Sequence, residues 1–169
     1  MELTRRDAIA ALGALGAAGA LTVGTRERGN DDERVRETFV AASEVVFPTE
    51  VEGIEGFVET FLDGRLDRPA HATGLRRTVA ELDDRAADWY GDRFAALAPD
   101  DRDRLLREVG ADTAEEDPEG TTAERVRYYV VNELLLGLYS SPTGGELVGI
   151  ENPQGHPGGI ESYRRGPGE

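Results

Sequence analysis

Acid–base or metal chemistry in this chain would have to come from two histidines, His71 and His156, and from its many carboxylates. Adjacent acidic pairs such as Asp83-Asp84 and Asp100-Asp101 are of the type that could supply a general acid and base. Neighbours in sequence do not share a helix face, so these pairs read as solvated surface. His71 follows Pro69 where a helix should begin, the position of a surface or capping residue. His156 sits in NPQGHPGG, where a turn or a partner contact would order it. No Ser/His/Asp set, Gly-x-Ser-x-Gly elbow or P-loop is visible. The chain has no cysteine, which removes disulfides, thiolate nucleophiles, zinc fingers and iron–sulfur ligation. The acidic stretch ADTAEEDPEGTTAE (111–124) lacks the Asp-x-Asp-x-Asp-Gly order of a calcium loop and reads as a loop. The residues therefore assign no catalytic, cofactor-binding or metal-ligating side chain.

The elements around them are helical. After Asn30, read as a cap, Val35, Phe39, Ala42 and Val46 recur at helical spacing up to Pro48. Ile54, Phe57, Val58, Phe61 and Leu62 give a short second helix, expected to stop at Gly64. From Thr73, the positions Leu75, Val79, Leu82, Ala86 and Trp89 keep a 3-4 rhythm. Pro99 suits the first turn of a fourth helix that turns Leu105, Leu106 and Val109 inward and stops at Gly110. A last helix, from about Thr122 to Tyr139, presents Val126, Tyr129, Val130, Leu134 and Leu138 on one side, with Leu135 and Leu136 widening the stripe. ELVGI (146–150) is the lone strand candidate. The expected fold is mainly α, a small bundle of about five helices with an extended Gly/Pro-rich C-terminal arm.

Charge narrows the setting. Asp and Glu total 34 against 19 basic residues, a net charge of −15, and every basic residue is arginine. Such self-repulsion destabilises a compact state in dilute buffer and is screened at molar salt, where the Debye length is about 3 Å. The composition points to a halophile, and it argues against nucleic acid as a partner, which needs a basic face. The first residues, MELTRRDAIAALGALGAAGALTVG, place Arg5 and Arg6 ahead of an apolar run from Ala8 to Val23. That layout is a secretory one, and the arginine pair resembles a twin-arginine export signal. The run is shorter and less apolar than the ~20 residues of a spanning helix. The expected organisation is therefore a signal segment at 1–24, a linker at 25–34, a helical domain at 35–139 and an arm at 140–169.

The arm, SPTGGELVGIENPQGHPGGIESYRRGPGE from Ser141 to Glu169, carries eight glycines and four prolines. Leu147, Val148, Ile150, Ile160 and Tyr163 interrupt it, and flexible linkers lack such anchors. An arm of this kind lies on a surface, either its own core or a partner. The run LLLGLYSSPTGGELVGIENPQGHPGGIESYRRGP resembles the C-terminal signature of the gluconate 2-dehydrogenase subunit 3 (gamma subunit) family, in the form seen in haloarchaeal members. The matching residues are Tyr139, Ser140, Pro142, Gly144, Gly145, Gly149, Pro153, Pro157 and Gly158. ELVGIENPQGHPGG stands where the bacterial pattern has an aromatic-rich Gly-Trp stretch and a compact Gly-Pro-Gly. The twin-arginine-like signal on a small helical subunit is also typical of that family.

The resemblance implies a chain with no redox centre of its own. Its partner would be a large FAD-containing dehydrogenase subunit of the glucose-methanol-choline type, with a cytochrome subunit in some complexes. The small subunit would supply the export signal and stabilise the flavoprotein. The residues matched above, together with Tyr163, would dock on it. The competing expectations are a stand-alone exported helical protein whose arm wraps its own core, and a secreted hydrolase using scattered carboxylates.

Overall fold

The computed structural model describes residues 27–49, 51 and 53–141. It is built of helices, with no strand among the described residues. Helix α1 spans 27–46, α2 Ile54–Leu66, α3 Pro69–Tyr90 and α4 Pro99–Glu108, with a 3₁₀ turn at Phe94–Ala96. The last helix, α5, comprises Thr122–Val126, a π-helical turn at Arg127–Val131 and Asn132–Ser140.

Element ends follow local chemistry, with some departures from the sequence expectation. Asn30 does not cap α1, which is already helical at residue 27, so residues 27–34 of the expected linker belong to the helix. Arg34 and Asp32 explain this. They reach α3 as the pairs Arg34–Asp83 (3.8 Å) and Arg76–Asp32 (2.7 Å). Helix α2 runs past Gly64 to Leu66, since an exposed glycine costs a helix only about 1 kcal/mol. Helix α3 starts at Pro69, ahead of Thr73, because proline needs no N–H partner in a first turn. Gly91 ends it at φ 84°, and Gly110 follows α4 at φ 85°. Thr121 opens α5 with a reciprocal cap. Its hydroxyl accepts from Glu124 N while the Glu124 carboxylate accepts from Thr121 N, which satisfies two of the open donors of a helix start.

Of the expected core positions, Val35, Phe39, Ala42, Val58, Leu62, Leu75, Val79, Leu82, Ala86, Leu105, Leu106, Val126, Tyr129, Val130, Leu134 and Leu138 are buried, while Val46, Ile54, Phe57, Phe61, Val109 and Leu135 are only partly buried. Three expectations are corrected. Trp89 faces solvent and stacks with Arg85, whose guanidinium carbon is 5.7 Å from the ring centroid. Leu136 is exposed rather than part of the apolar stripe. Asp83 is buried, not solvated, and accepts the Phe94 N–H at 3.0 Å, which fixes the 3₁₀ turn. Burial pushes its carboxyl above the ordinary range, against the Phe94 hydrogen bond and the charge of Arg34.

The π turn accounts for the stripe on α5. Val126, Val130, Leu134 and Leu138 recur at steps of four and are all buried. At 3.6 residues per turn that spacing drifts by about 120° over three steps. The wider π turn absorbs the drift and keeps the four side chains on one side. Helix α5 also depends on two glycines in its contacts. A Cβ on Gly74 of α3 would collide with the hydroxyl end of the Tyr129 ring, and one on Gly137 of α5 would stand 3.0 Å from Phe57 Cζ of α2.

Two stability outcomes follow. Gly74→Ala should cost about 1–3 kcal/mol by overpacking, read as a lower denaturation midpoint at constant molar salt. Asp83→Ala strands a buried N–H and should cost about 1–3 kcal/mol. Asp83→Asn keeps an acceptor oxygen and should cost less.

Candidate functional site

The described chain meets the expected docking segment at the C-terminal turn of α5. Tyr139 and Ser140 lie in that turn, and Ser141 is extended at φ −85°, ψ 154°. Ser140 Oγ donates to Leu136 O and Ser141 Oγ donates to Leu138 O, each at 2.6 Å. Both hydroxyls thus bond back onto the helix, and the Leu138 carbonyl also accepts the Ser141 N–H at 3.0 Å. Tyr139 is 49% exposed and Leu136 51% exposed. Three residues apart, they share one side of the helix and form an apolar ridge at the point where the chain departs. Beside it lies a shallow depression of about 200 Å³ lined by Glu116, Tyr128, Asn132, Glu133 and Leu136. Asn132 Nδ2 donates to the Glu116 carboxylate across it.

Of the expected docking residues, the structure therefore places Tyr139 and Ser140 together at the end of α5. Pro142, Gly144, Gly145, Gly149, Pro153, Pro157, Gly158 and Tyr163 lie outside the described residues, as do Arg5, Arg6, His156 and the strand candidate 146–150.

A polar cluster behind the ridge holds α5 in place. Glu133 accepts from Arg65 Nε of α2 at 2.6 Å, and its other oxygen lies 3.2 Å from His71 Nε2 of α3. The His71 contact lacks hydrogen-bond alignment, since Nε2 has no bonded partner. Arg65 also covers the Phe61 ring at 4.4 Å, a favourable cation–π arrangement. His71 packs against Tyr129, with ring centroids 5.3 Å apart, and Tyr129 meets Tyr128 edge-on at 4.8 Å. His71 is thus neither a surface residue nor a cap, as its position after Pro69 suggests; it is wedged between three helices. Burial pushes the imidazole below its ordinary 6.5, and Arg65 and Arg68 push the same way against the pull of Glu133. The sequence signal for this cluster is Glu133 itself, a carboxylate in the most apolar segment.

A buried arginine, Arg125, ties the acidic loop to the body. Arg125 donates to the Glu81 carboxylate and to Gly120 O. Burial alone would raise Glu81, but hydrogen bonds from Arg125, Arg77 and Thr122 outweigh it and hold its carboxyl below the ordinary range. A wider groove of about 460 Å³ opens between α1, α2 and the 3₁₀ turn. Its arginines are already engaged: Arg36 with Asp63 at 2.7 Å, Arg93 with Glu37 at 3.1 Å, and Arg102 with Ala95 O at 3.0 Å and with Glu44.

Among the described residues, no three His, Asp or Glu side chains come together as a metal group. No helix among them is long and apolar enough to cross a membrane. What the geometry offers is an exposed apolar ridge on a rigid helix end, supported from behind by ion pairs.

His71 gives the site a pH signature. A depressed imidazole pKa means that the unfolded chain binds the proton more tightly. The stability contributed by neutral His71 is full above pH 6.5 and is lost as pH falls through the depressed folded value. The difference in unfolding free energy between wild type and His71→Gln should shrink on acidification across that window, in chemical denaturation at fixed salt.

Comparison with known proteins gives one family. The family model described as gluconate 2-dehydrogenase subunit 3 matches residues 33–158, most of the chain. No curated protein and no solved structure matches it.

Proposed function

Because the chain belongs to the gluconate 2-dehydrogenase subunit 3 family, we propose that it is the non-catalytic small subunit of an exported, FAD-dependent sugar or alcohol dehydrogenase of a halophile. The observation that carries this reading is the family match over residues 33–158, which takes in both the helical body and much of the arm. FAD resides in the large partner subunit, and a cytochrome subunit completes the complex. The twin-arginine-like segment with Arg5 and Arg6 serves both proteins. A flavoprotein that loads FAD as it folds must cross the membrane folded, and a bound small subunit carries it over. The route ends outside the cytoplasm. The arm from Tyr139 to Tyr163 clamps the flavoprotein, and the exposed ridge at the end of α5 supports that placement. The net charge of −15 suits a protein working in brine.

A tagged pull-down kept in molar salt tests the assignment. The expected eluate holds a stoichiometric large chain with a flavin absorbance spectrum. A colourless single-chain eluate would overturn it in favour of a stand-alone exported protein. Within the complex, Gly158→Leu should leave the helical circular dichroism unchanged and weaken flavoprotein retention about tenfold, ~1.4 kcal/mol. Undiminished retention would remove the arm from the interface.

A further inference from the structure

The depression beside the ridge holds an unmatched charge. Its lining brings Glu116 of the acidic loop together with Tyr128, Asn132, Glu133 and Leu136 of α5. Glu133 already has a cation, since Arg65 bonds one of its oxygens at 2.6 Å. Glu116 meets no arginine among the described residues; its partner is the neutral Asn132 amide. Tyr128 adds an aromatic wall, half-buried and braced by the rings of His71 and Tyr129. Tyr128, Asn132, Leu136 and Tyr139 recur at steps of four, four and three, so depression and ridge form one continuous strip along α5.

We propose that this strip docks the flavoprotein, with one arginine of the flavoprotein seated in the depression against Glu116 and Tyr128, and an apolar surface around that arginine laid on Leu136 and Tyr139. The proposal rests on the flavoprotein reading and adds to it the chemistry of the partner surface. It uses only the helical body and is independent of what the arm contacts.

Three arguments select this occupant. The first is size. About 200 Å³ falls below the roughly 300–1,000 Å³ of small-molecule sites and suits the head of one side chain. The second is chemistry. A guanidinium forks onto a carboxylate and also stacks on an aromatic ring, whereas an ammonium has no plane to stack. Arginine and tyrosine are also enriched among the residues that dominate binding energy. The third is salt. At molar salt the Debye length is about 3 Å, so a diffuse attraction between an acidic body and a basic partner is lost. A cation in direct contact with Glu116, covered by the apolar ridge, keeps its electrostatic share, and the ridge contributes area that salt does not screen. A second copy of this chain brings 34 carboxylates for 19 basic residues, the wrong sign for an unmatched Glu116.

The test is made on the complex at molar salt, with the affinity of the full-length small subunit for the flavoprotein measured by titration. Glu116→Gln removes the charge and keeps an acceptor for Asn132; it should weaken binding about tenfold. Leu136→Ser, at an exposed position, should weaken it by a similar factor. Glu115→Gln removes the same charge one residue away, outside the depression, and should leave affinity unchanged. In the wild-type complex one flavoprotein arginine should resist an arginine-specific dicarbonyl reagent, and in the Glu116→Gln complex it should react. Equal losses for the variants at 115 and 116 would show a bulk-charge effect and overturn the proposal. Undiminished binding of Glu116→Gln and Leu136→Ser, or no protected arginine, would overturn it and leave the subunit reading standing. Absence of any complex with the wild-type chain would overturn both. Dimerisation of the isolated chain that Leu136→Ser abolishes would give the strip to a second copy and overturn the proposal.

Discussion

Helix α5 can lie against α2 and α3 only because two positions in the contact carry no side chain. Gly74 leaves room for the end of the Tyr129 ring, and Gly137 for the Phe57 and Phe61 rings. Both approaches are closer than a methyl group would comfortably permit, and Leu62, Leu75, Val130 and Leu134 of the same three helices are fully buried. The polar cluster of Glu133, Arg65 and His71 then works as a positioning device. A carboxylate half sunk in an apolar seam is tolerable only with its oxygens near donors or cations, so α5 is held in the register that brings Glu133 to Arg65. The exposed ridge at its end is placed by these contacts.

The arginines divide by burial into two kinds of work. The Arg125 and Arg102 side chains are largely covered, use several donors at once and anchor backbone carbonyls of Gly120, Ala41 and Ala95. Partly buried contacts of this kind are screened less by salt than exposed ones. Arg104–Asp101 and Arg107–Asp103 lie on the exposed side of α4, where such pairs contribute little even in dilute buffer and less in brine. Arginine's fixed fork suits the first task in a way that the point charge of lysine does not. An all-arginine composition therefore agrees with a structure whose internal ties are multidentate.

The helical positions are legible in the sequence because their apolar spacing reports a simple physical demand, and the positive φ of Gly91 and Gly110 leaves plain marks at helix ends. Helix starts are less so. Asn30 has the chemistry of a cap, but the cross-helix pairs of Asp32 and Arg34 carry α1 through it, and those pairs join residues far apart in the chain. Asp83 escapes a sequence reading for the same reason. Beside Asp84 it looks like half of a solvated pair, and only the return of the chain at Phe94 shows why one member is inside. Trp89 continues the rhythm of α3 but overruns the neighbours that could cover it. In the candidate site, Tyr139 is legible as part of a motif. The supporting cluster is not, because Arg65, His71 and Glu133 come from three helices and meet only after folding. The family resemblance carried by the arm agrees with the match over residues 33–158.

The π turn at Arg127–Val131 has an effect beyond the stripe it keeps straight. By widening one turn of α5 it resets the azimuth of everything downstream, including the side of the helix on which Leu136 and Tyr139 stand exposed. The bearing of that ridge is thus decided several residues earlier in the chain by a local winding number. Mutations that lengthen or shorten the loop before Thr122 leave that bearing untouched. Inserting or deleting one residue inside the π turn would swing it by about 100° and turn the same two side chains, with every downstream motif intact, toward a different side of the helix.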